Sequence, residues 1–317
     1  MAHYLLKLLL MTFVAIVNGD LLFMYAESSK ISIWKTSSVF KIKEITVSHY
    51  DRIYLAPHYK EDLIFYAYEK KLYRIHLVDE NGNRKISGKG ELLINPSADH
   101  KEILFATLSS GITGIQVDGF NNKLYVSTYN EILQFDLEVK NEVKIVVKQS
   151  ALNNIYFYQG LLYFNNDSGI FRLNPNVQSK IETLVFAKNV YISSVTIDEV
   201  RGKLLYRQGS EVRMIDVNMT ESSYPVTNPH ILLSDSSVTG GIGRQDVAAN
   251  DRVMIWLSDE QLYLGVINSD YSFITKKNIY LYRSKSYSFR PFDIVMFHHV
   301  FDQSATAPPY SILKICK

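Results

Sequence analysis

The chain has one cysteine, Cys316, in the closing Ile315-Cys316-Lys317, so no disulfide within the chain can staple it and stability must come from a large core. The lone thiol is either a tail residue or a handle for a bridge to a second chain. Charge of one sign is also missing: the formal net charge is +2 and no basic run stands out, which argues against nucleic-acid binding. Glycine and proline are modest, at 15 and 8 of 317 residues. No apolar stretch after the N-terminus is long enough to span a bilayer. What is abundant is aromatic: 22 tyrosines and 16 phenylalanines, which suit pleated, half-buried surfaces and lean the composition towards β-sheet.

The N-terminus reads as a targeting segment. Lys7 precedes an apolar stretch from Leu8 to Val17, and Val17-Asn18-Gly19 suits signal peptidase, which places cleavage before Asp20. The expected organisation is therefore a signal peptide over 1–19 and one folded unit over 20–317, in a secreted, extracellular protein. The sequons at Asn166 and Asn218 agree with that, whereas Asn95-Pro96-Ser97 is spoiled by its proline.

A repeat organises the rest. "GIQVDGFNNKLYVSTYNEILQFDLE" from Gly114 and "SVTIDEVRGKLLYRQGSEVRMIDVN" from Ser194 match at a fixed offset of 80, pairing Asp118 with Asp198, Lys123 with Lys203 and Asp136 with Asp216. Each copy has an apolar strand ending near an Asp, a turn, an apolar-aromatic strand, a short polar turn, a strand ending in Asp or Asn, and a more variable segment. The second strand recurs six times, at Leu21, Leu63, Leu124, Leu162, Leu204 and Val253. The long second interval holds a polar insertion, Asp79 to Glu91.

Four short strands in roughly forty residues is the grammar of a propeller blade. The first copy lacks an inner strand, and the last is followed by an orphan one, Arg290 to Phe301, whose Asp293 is expected to match Asp118 and Asp198. The two ends are complementary. The prediction is an all-β, six-bladed β-propeller closed by a C-terminal inner strand that completes the first blade and leaves no sheet edge unpaired. Blades repeat because each buries its faces only against its neighbours.

These residues resemble a known class. "ITGIQVDGFNNKLYVSTYNEILQFDLE" is similar to a blade of the low-density-lipoprotein-receptor class of six-bladed propellers, although no copy keeps the Tyr-Trp-Thr-Asp core. "NNIYFYQGLLYFNNDSGIFRLN", Asn153 to Asn174, with the signal peptide and the blade pattern, resembles the ommochrome-binding proteins of insect haemolymph. That second resemblance implies carriage of a pigment or small aromatic molecule. It implies no particular binding residue.

Propeller ligands sit in the central funnel, on the face with the loops entering the inner strands. Arg52, Arg244 and Arg290 each fall just before an inner strand, where guanidinium groups would suit a planar ligand bearing a carboxylate or sulfate. Tyr129 and Tyr191 could stack on its rings, and Asn153 and Arg207 fall in loops of the same face. Asp118, Asp198 and Asp293 read instead as caps on the strand turns. Asp246 and Asn154 could face inward, but without a third convincing ligand a calcium site is not expected. Gly240-Gly241-Ile242-Gly243 precedes no helix, so phosphate cradling is not supported. No catalytic constellation, metal site or cofactor is expected.

Three functions follow, in order of preference. The first is a non-enzymatic carrier of a small aromatic, acidic, pigment-like ligand. The second is an extracellular protein-interaction module or secreted effector. The last is a calcium-dependent lactonase.

Overall fold

The computed structural model describes residues 22–27, 30–35, 40–46, 53–58, 63–76, 102–139, 142–177, 180–187, 191–198, 201–217, 224–234, 247–249, 253–258, 261–268, 270, 273–279 and 293–297. Every regular element among them is a strand. In chain order they are β1 (Leu22–Glu27), β2 (Lys30–Lys35) and β3 (Phe40–Thr46), then β4 (Ile53–His58), β5 (Leu63–Tyr68), β6 (Lys71–His76) and β7 (Glu102–Thr107). Next come β8 (Ile112–Asp118), β9 (Lys123–Thr128), β10 (Glu131–Asp136) and β11 (Val143–Lys148), then β12 (Asn154–Tyr158), β13 (Leu161–Asn166), β14 (Gly169–Leu173) and β15 (Glu182–Phe186). The remainder are β16 (Ile192–Asp198), β17 (Lys203–Gln208), β18 (Glu211–Asp216), β19 (His230–Ser234), β20 (Val247–Ala249), β21 (Val253–Ser258), β22 (Gln261–Ile267), β23 (Phe273–Ile279) and β24 (Asp293–Phe297).

Among the described residues these strands form six four-stranded antiparallel sheets, five of them consecutive in sequence. In the sixth, β24 pairs with β1 ahead of β2 and β3. First strands are neighbours: β4 lies against β8, β8 against β12, β12 against β16, β16 against β20, and β24 against both β20 and β4.

The core explains why the sheets come together. Alternate residues of a strand face opposite ways, and here both faces are apolar, so a sheet needs a partner on each side. One buried cluster lies between the sheets of β4–β7 and β8–β11, with Phe65, Leu72, Ile115 and Val126 at its centre. A second joins the sheets of β8–β11 and β12–β15 through Tyr125, Ile155 and Phe164. A third, around Tyr163, Val195 and Tyr206, joins the sheets of β12–β15 and β16–β19. Tyr125 stacks on Phe157 across the second boundary at 5.2 Å between ring centroids.

The repeated sequence encodes a repeated fastening. Asp136 pairs with Lys123 in register, and their charged ends form an ion pair. Eighty residues on, Lys203 Nζ meets Asp216 Oδ2 at 2.6 Å in the same register. Asp118 and Asp198 cap the turns after β8 and β16 as expected. Asp118 Oδ1 accepts the N–H groups of Phe120 and Asn121, and Asp198 Oδ1 accepts that of Arg201.

Asp293 departs from that pattern. Asp118 ends β8 opposite Lys123, at the start of β9, whereas Asp293 opens β24 opposite Ala26, near the end of β1. The alignment of Asp293 with Asp118 was several residues out of register. Asp293 lies at the opposite end of its sheet from the turn-capping acids.

A second recurrence is invisible in the letters. Four sheets carry a bulge between their third and fourth strands right after the same repeat position, occupied by Leu72, Ile132, Ile170 and Val212. All four side chains are fully buried. A bulge twists the outer strand and blunts its exposed edge.

Candidate functional site

One end of the sheets carries the turns after the second strands and the loops entering the first strands. A backbone hydrogen bond ties the two sets together in successive sheets. Ile112 N–H donates to the Glu69 carbonyl at 2.6 Å, and at the equivalent place Leu152 N–H donates to the Tyr129 carbonyl at 3.1 Å. Thus the turn bearing Tyr129 is anchored to the segment that delivers Asn153.

Among the described residues, buried polar side chains gather at that end: of thirteen, nine belong to the last two positions of second strands or the start of first strands. Ser127 and Thr128 close β9, Asn165 and Asn166 close β13, and Arg207 and Gln208 close β17; Thr113, Asn153 and Asn154 face them from the inner side. Most buried polar groups are hydrogen-bonded. Here the bonds run across sheet boundaries as well as within sheets, with Asn165 Oδ1 left without a partner among the described residues.

The belt can be followed bond by bond. Thr113 Oγ1 donates to Ser127 Oγ at 3.0 Å, and Ser127 Oγ donates to the Gly114 carbonyl at 3.3 Å. Gly114 is glycine for lack of room: a Cβ there would lie 3.0 Å from Ser127 Oγ and 3.1 Å from Asn154 Oδ1 of the next sheet. Asn153 N–H donates to the Asn165 carbonyl at 3.0 Å. Asn165 Nδ2 then reaches the third sheet of the group, donating to the Ile192 carbonyl at 2.7 Å. Gln208 Nε2 donates to the Ala187 carbonyl at 2.9 Å.

Four of the seven expected ligand residues fall on this end. Tyr129 is 54% exposed and Tyr191 44% exposed, on the rim beside the belt. Asn153 is buried within it. Arg207 is buried too, with its Nε donating at 3.0 Å to the Gly209 carbonyl of its own hairpin turn, so it closes β17–β18 as a strand residue. Gly209 makes that turn possible, with φ of 61°, a left-handed conformation that glycine adopts without penalty. Arg52, Arg244 and Arg290 lie outside the described residues, as do 1–19, Asn218, Asp246 and Cys316.

Asn166 is 7% exposed. Its Oδ1 accepts the Ser168 N–H at 2.8 Å and its Nδ2 lies 3.5 Å from Gln149 Oε1. A glycan on that nitrogen would have to displace the contact with Gln149. Ser127 and Asn165 were not picked out from the sequence, whereas Thr113 and Gln208 fall in loops already read as belonging to this face. The signal for the two was there, in the polar pair ending each second strand: Ser127-Thr128, Asn165-Asn166 and Arg207-Gln208.

No group of three or more His, Cys, Asp or Glu gathers to hold a metal among the described residues. No helix among them is long and apolar enough to cross a membrane.

No protein-family model and no curated protein matches the sequence. Solved structures do match in shape. A chain of a nidogen/laminin complex superposes with a TM-score of 0.63 at 11% identity, covering 87% of this chain and 98% of its own. A chain of the mitotic checkpoint complex gives 0.51 at 12% identity, covering 79% of this chain and 74% of that one. The structure of U3-55K gives 0.52 at 10% identity, with 81% and 78% covered. At such identities the likeness speaks for the fold alone, and that fold is an all-β arrangement of the propeller kind.

Proposed function

We propose that the six sheets are the blades of a closed propeller and that the protein is a secreted binding protein for a small aromatic, acidic ligand, of the ommochrome pigment class. The pairing of β24 with β1, and the succession of first strands from β4 round to β24, support the closed ring. The observation that carries the ligand reading is the polar belt. Buried, hydrogen-bonded Thr113, Ser127, Asn153, Asn165 and Gln208 fix one end of three adjacent sheets, and two exposed tyrosines stand on its rim. Tyr129 and Tyr191 offer faces for a ring to stack on, and the Tyr129 backbone is anchored by its carbonyl's bond from Leu152 N–H, which lowers the entropic cost there. The acidic group would be met by the arginines that precede the inner strands, Arg52, Arg244 and Arg290. Fold alone specifies no ligand.

A protein-interaction module is the second reading. Two of the chains that share the shape come from protein complexes, nidogen with laminin and the mitotic checkpoint assembly. Purification from the natural source separates the two. Visible absorbance that stays with the protein through purification favours the carrier, and a colourless protein bound to a macromolecule favours the module.

A further inference from the structure

The crevice between the sheets of β4–β7 and β8–β11 has, at the end opposite the polar belt, a chemistry that pigment carriage does not use. His58 and His76 both pair in register with Leu63, one from each side, so the three form a cross-strand row. Arg74 occupies the next row on the same face, opposite Phe65. Asn122, Leu137 and Glu138 line the crevice from the other sheet, and the half-open space between them measures about 370 Å³.

The side chains on the far wall are already committed. Asn122 sits in the turn after β8 with φ of 52°, a conformation that asparagine tolerates better than most residues. Its Nδ2 donates to Glu138 Oε1 at 2.8 Å, and its Oδ1 lies 2.9 Å from His58 Nε2. A carboxylate only accepts, so the amide's orientation is fixed. A carbonyl oxygen also only accepts, so His58 Nε2 carries a proton. The Glu138 carboxylate is thereby held by Asn122 on the exposed side of the crevice.

Arg74 is different. Its Nε is buried and finds no hydrogen-bond partner among the described residues. A buried guanidinium N–H without an acceptor is costly, and a carboxylate is the acceptor whose geometry fits it best. Beside it the wall is apolar, formed by Phe65 and Phe105 packed edge to face at 5.5 Å.

We propose that this crevice is a second binding site, for a small organic carboxylate with an apolar body. The carboxylate accepts from Arg74, His76 lines the same space, and the body rests on Phe65 and Phe105. Phosphate would meet the same cation but could make no use of the aromatic wall.

The test is a titration of the full-length protein with benzoate, read by the arginine Nε–H resonances in NMR and by calorimetry, with inorganic phosphate at matched ionic strength as the comparison. The expected result is a saturable shift of the Arg74 Nε–H signal with benzoate, and benzoate affinity weakened about tenfold or more by Arg74→Gln. Tyr129→Ala removes a rim residue of the first site and should leave the benzoate-dependent shift of the Arg74 Nε–H signal as it is in the wild type. If Arg74→Gln does not fold, the wild-type resonance decides alone. An Arg74 signal that stays put, or that phosphate moves as readily as benzoate does, overturns the proposal.

Discussion

Asn165, in the middle sheet of the polar belt, donates its amide to the backbone carbonyl of Ile192 in the next sheet at 2.7 Å, and both residues are fully buried. This one bond joins neighbouring sheets where the ligand is proposed to sit. Asn165→Ala should destabilise the protein by about 1–3 kcal/mol, because it leaves the Ile192 carbonyl unsatisfied away from water. Denaturant unfolding checks it. The midpoint should fall with the slope unchanged, and an unchanged midpoint would mean that the bond carries no stability.

Gly114 lies at the neighbouring boundary, between the sheets of β8–β11 and β12–β15. Gly114→Ala puts a methyl about as close to Ser127 Oγ and Asn154 Oδ1 as atoms can come, so the belt must shift by a few tenths of an ångström. Overpacking of this kind costs about 1–3 kcal/mol. A melting temperature equal to wild type would show that the boundary has slack.

The ion pair between Lys123 and Asp136 sets a pH dependence. The hydrogen bond from Lys123 holds the Asp136 carboxyl below its ordinary value of 3.8, helped by the N–H groups of Glu138 and Val139. Its folded value is the lower one, so its contribution is complete above that ordinary value and fades as pH falls through the folded one. Asp136→Asn should therefore flatten the acid limb of stability below about pH 4 and change little at neutral pH. Thermal melts across that range decide it, and parallel acid limbs would contradict it.

At the alkaline end the buried tyrosines govern. Burial raises the phenols of Tyr66 and Tyr125, each with a nearby carboxylate adding to it, Glu102 and Asp118 respectively. Burial pushes Tyr163 and Tyr206 up to about 12, with Arg172 and Arg213 pulling partly back. A raised folded value means that stability is full below the ordinary 10.0 and is lost as pH climbs towards 12. In an alkaline titration, some of the 22 tyrosines should ionise only together with loss of the far-ultraviolet β signal. Ionisation of all of them near pH 10 with the fold intact would contradict this.

What could be read from the sequence was whatever repeats in side-chain letters. Lys123 with Asp136 and Lys203 with Asp216 sit at matching offsets, and the structure gives them matching ion pairs. The strand succession was legible for the same reason. What escaped depends on backbone register, which letters state weakly. The bulges after Leu72, Ile132, Ile170 and Val212 leave no mark, since an apolar residue serves equally well with or without one. Asp293 was matched with Asp118 and Asp198 as the acid of an inner strand, although register sets it at the opposite end of its sheet. Arg207 was read as a loop residue because arginine is seldom buried, yet its Nε satisfies a turn carbonyl.

The most direct measurement is a titration of the protein with xanthommatin, following tyrosine and tryptophan quenching and the shift in the ligand's absorbance, for wild type and for Tyr129→Ala with Tyr191→Ala. The prediction is saturable one-to-one binding to the wild type, weakened about tenfold or more when both rim tyrosines are removed. An absorbance spectrum and emission that do not change up to the solubility limit of the pigment would contradict it.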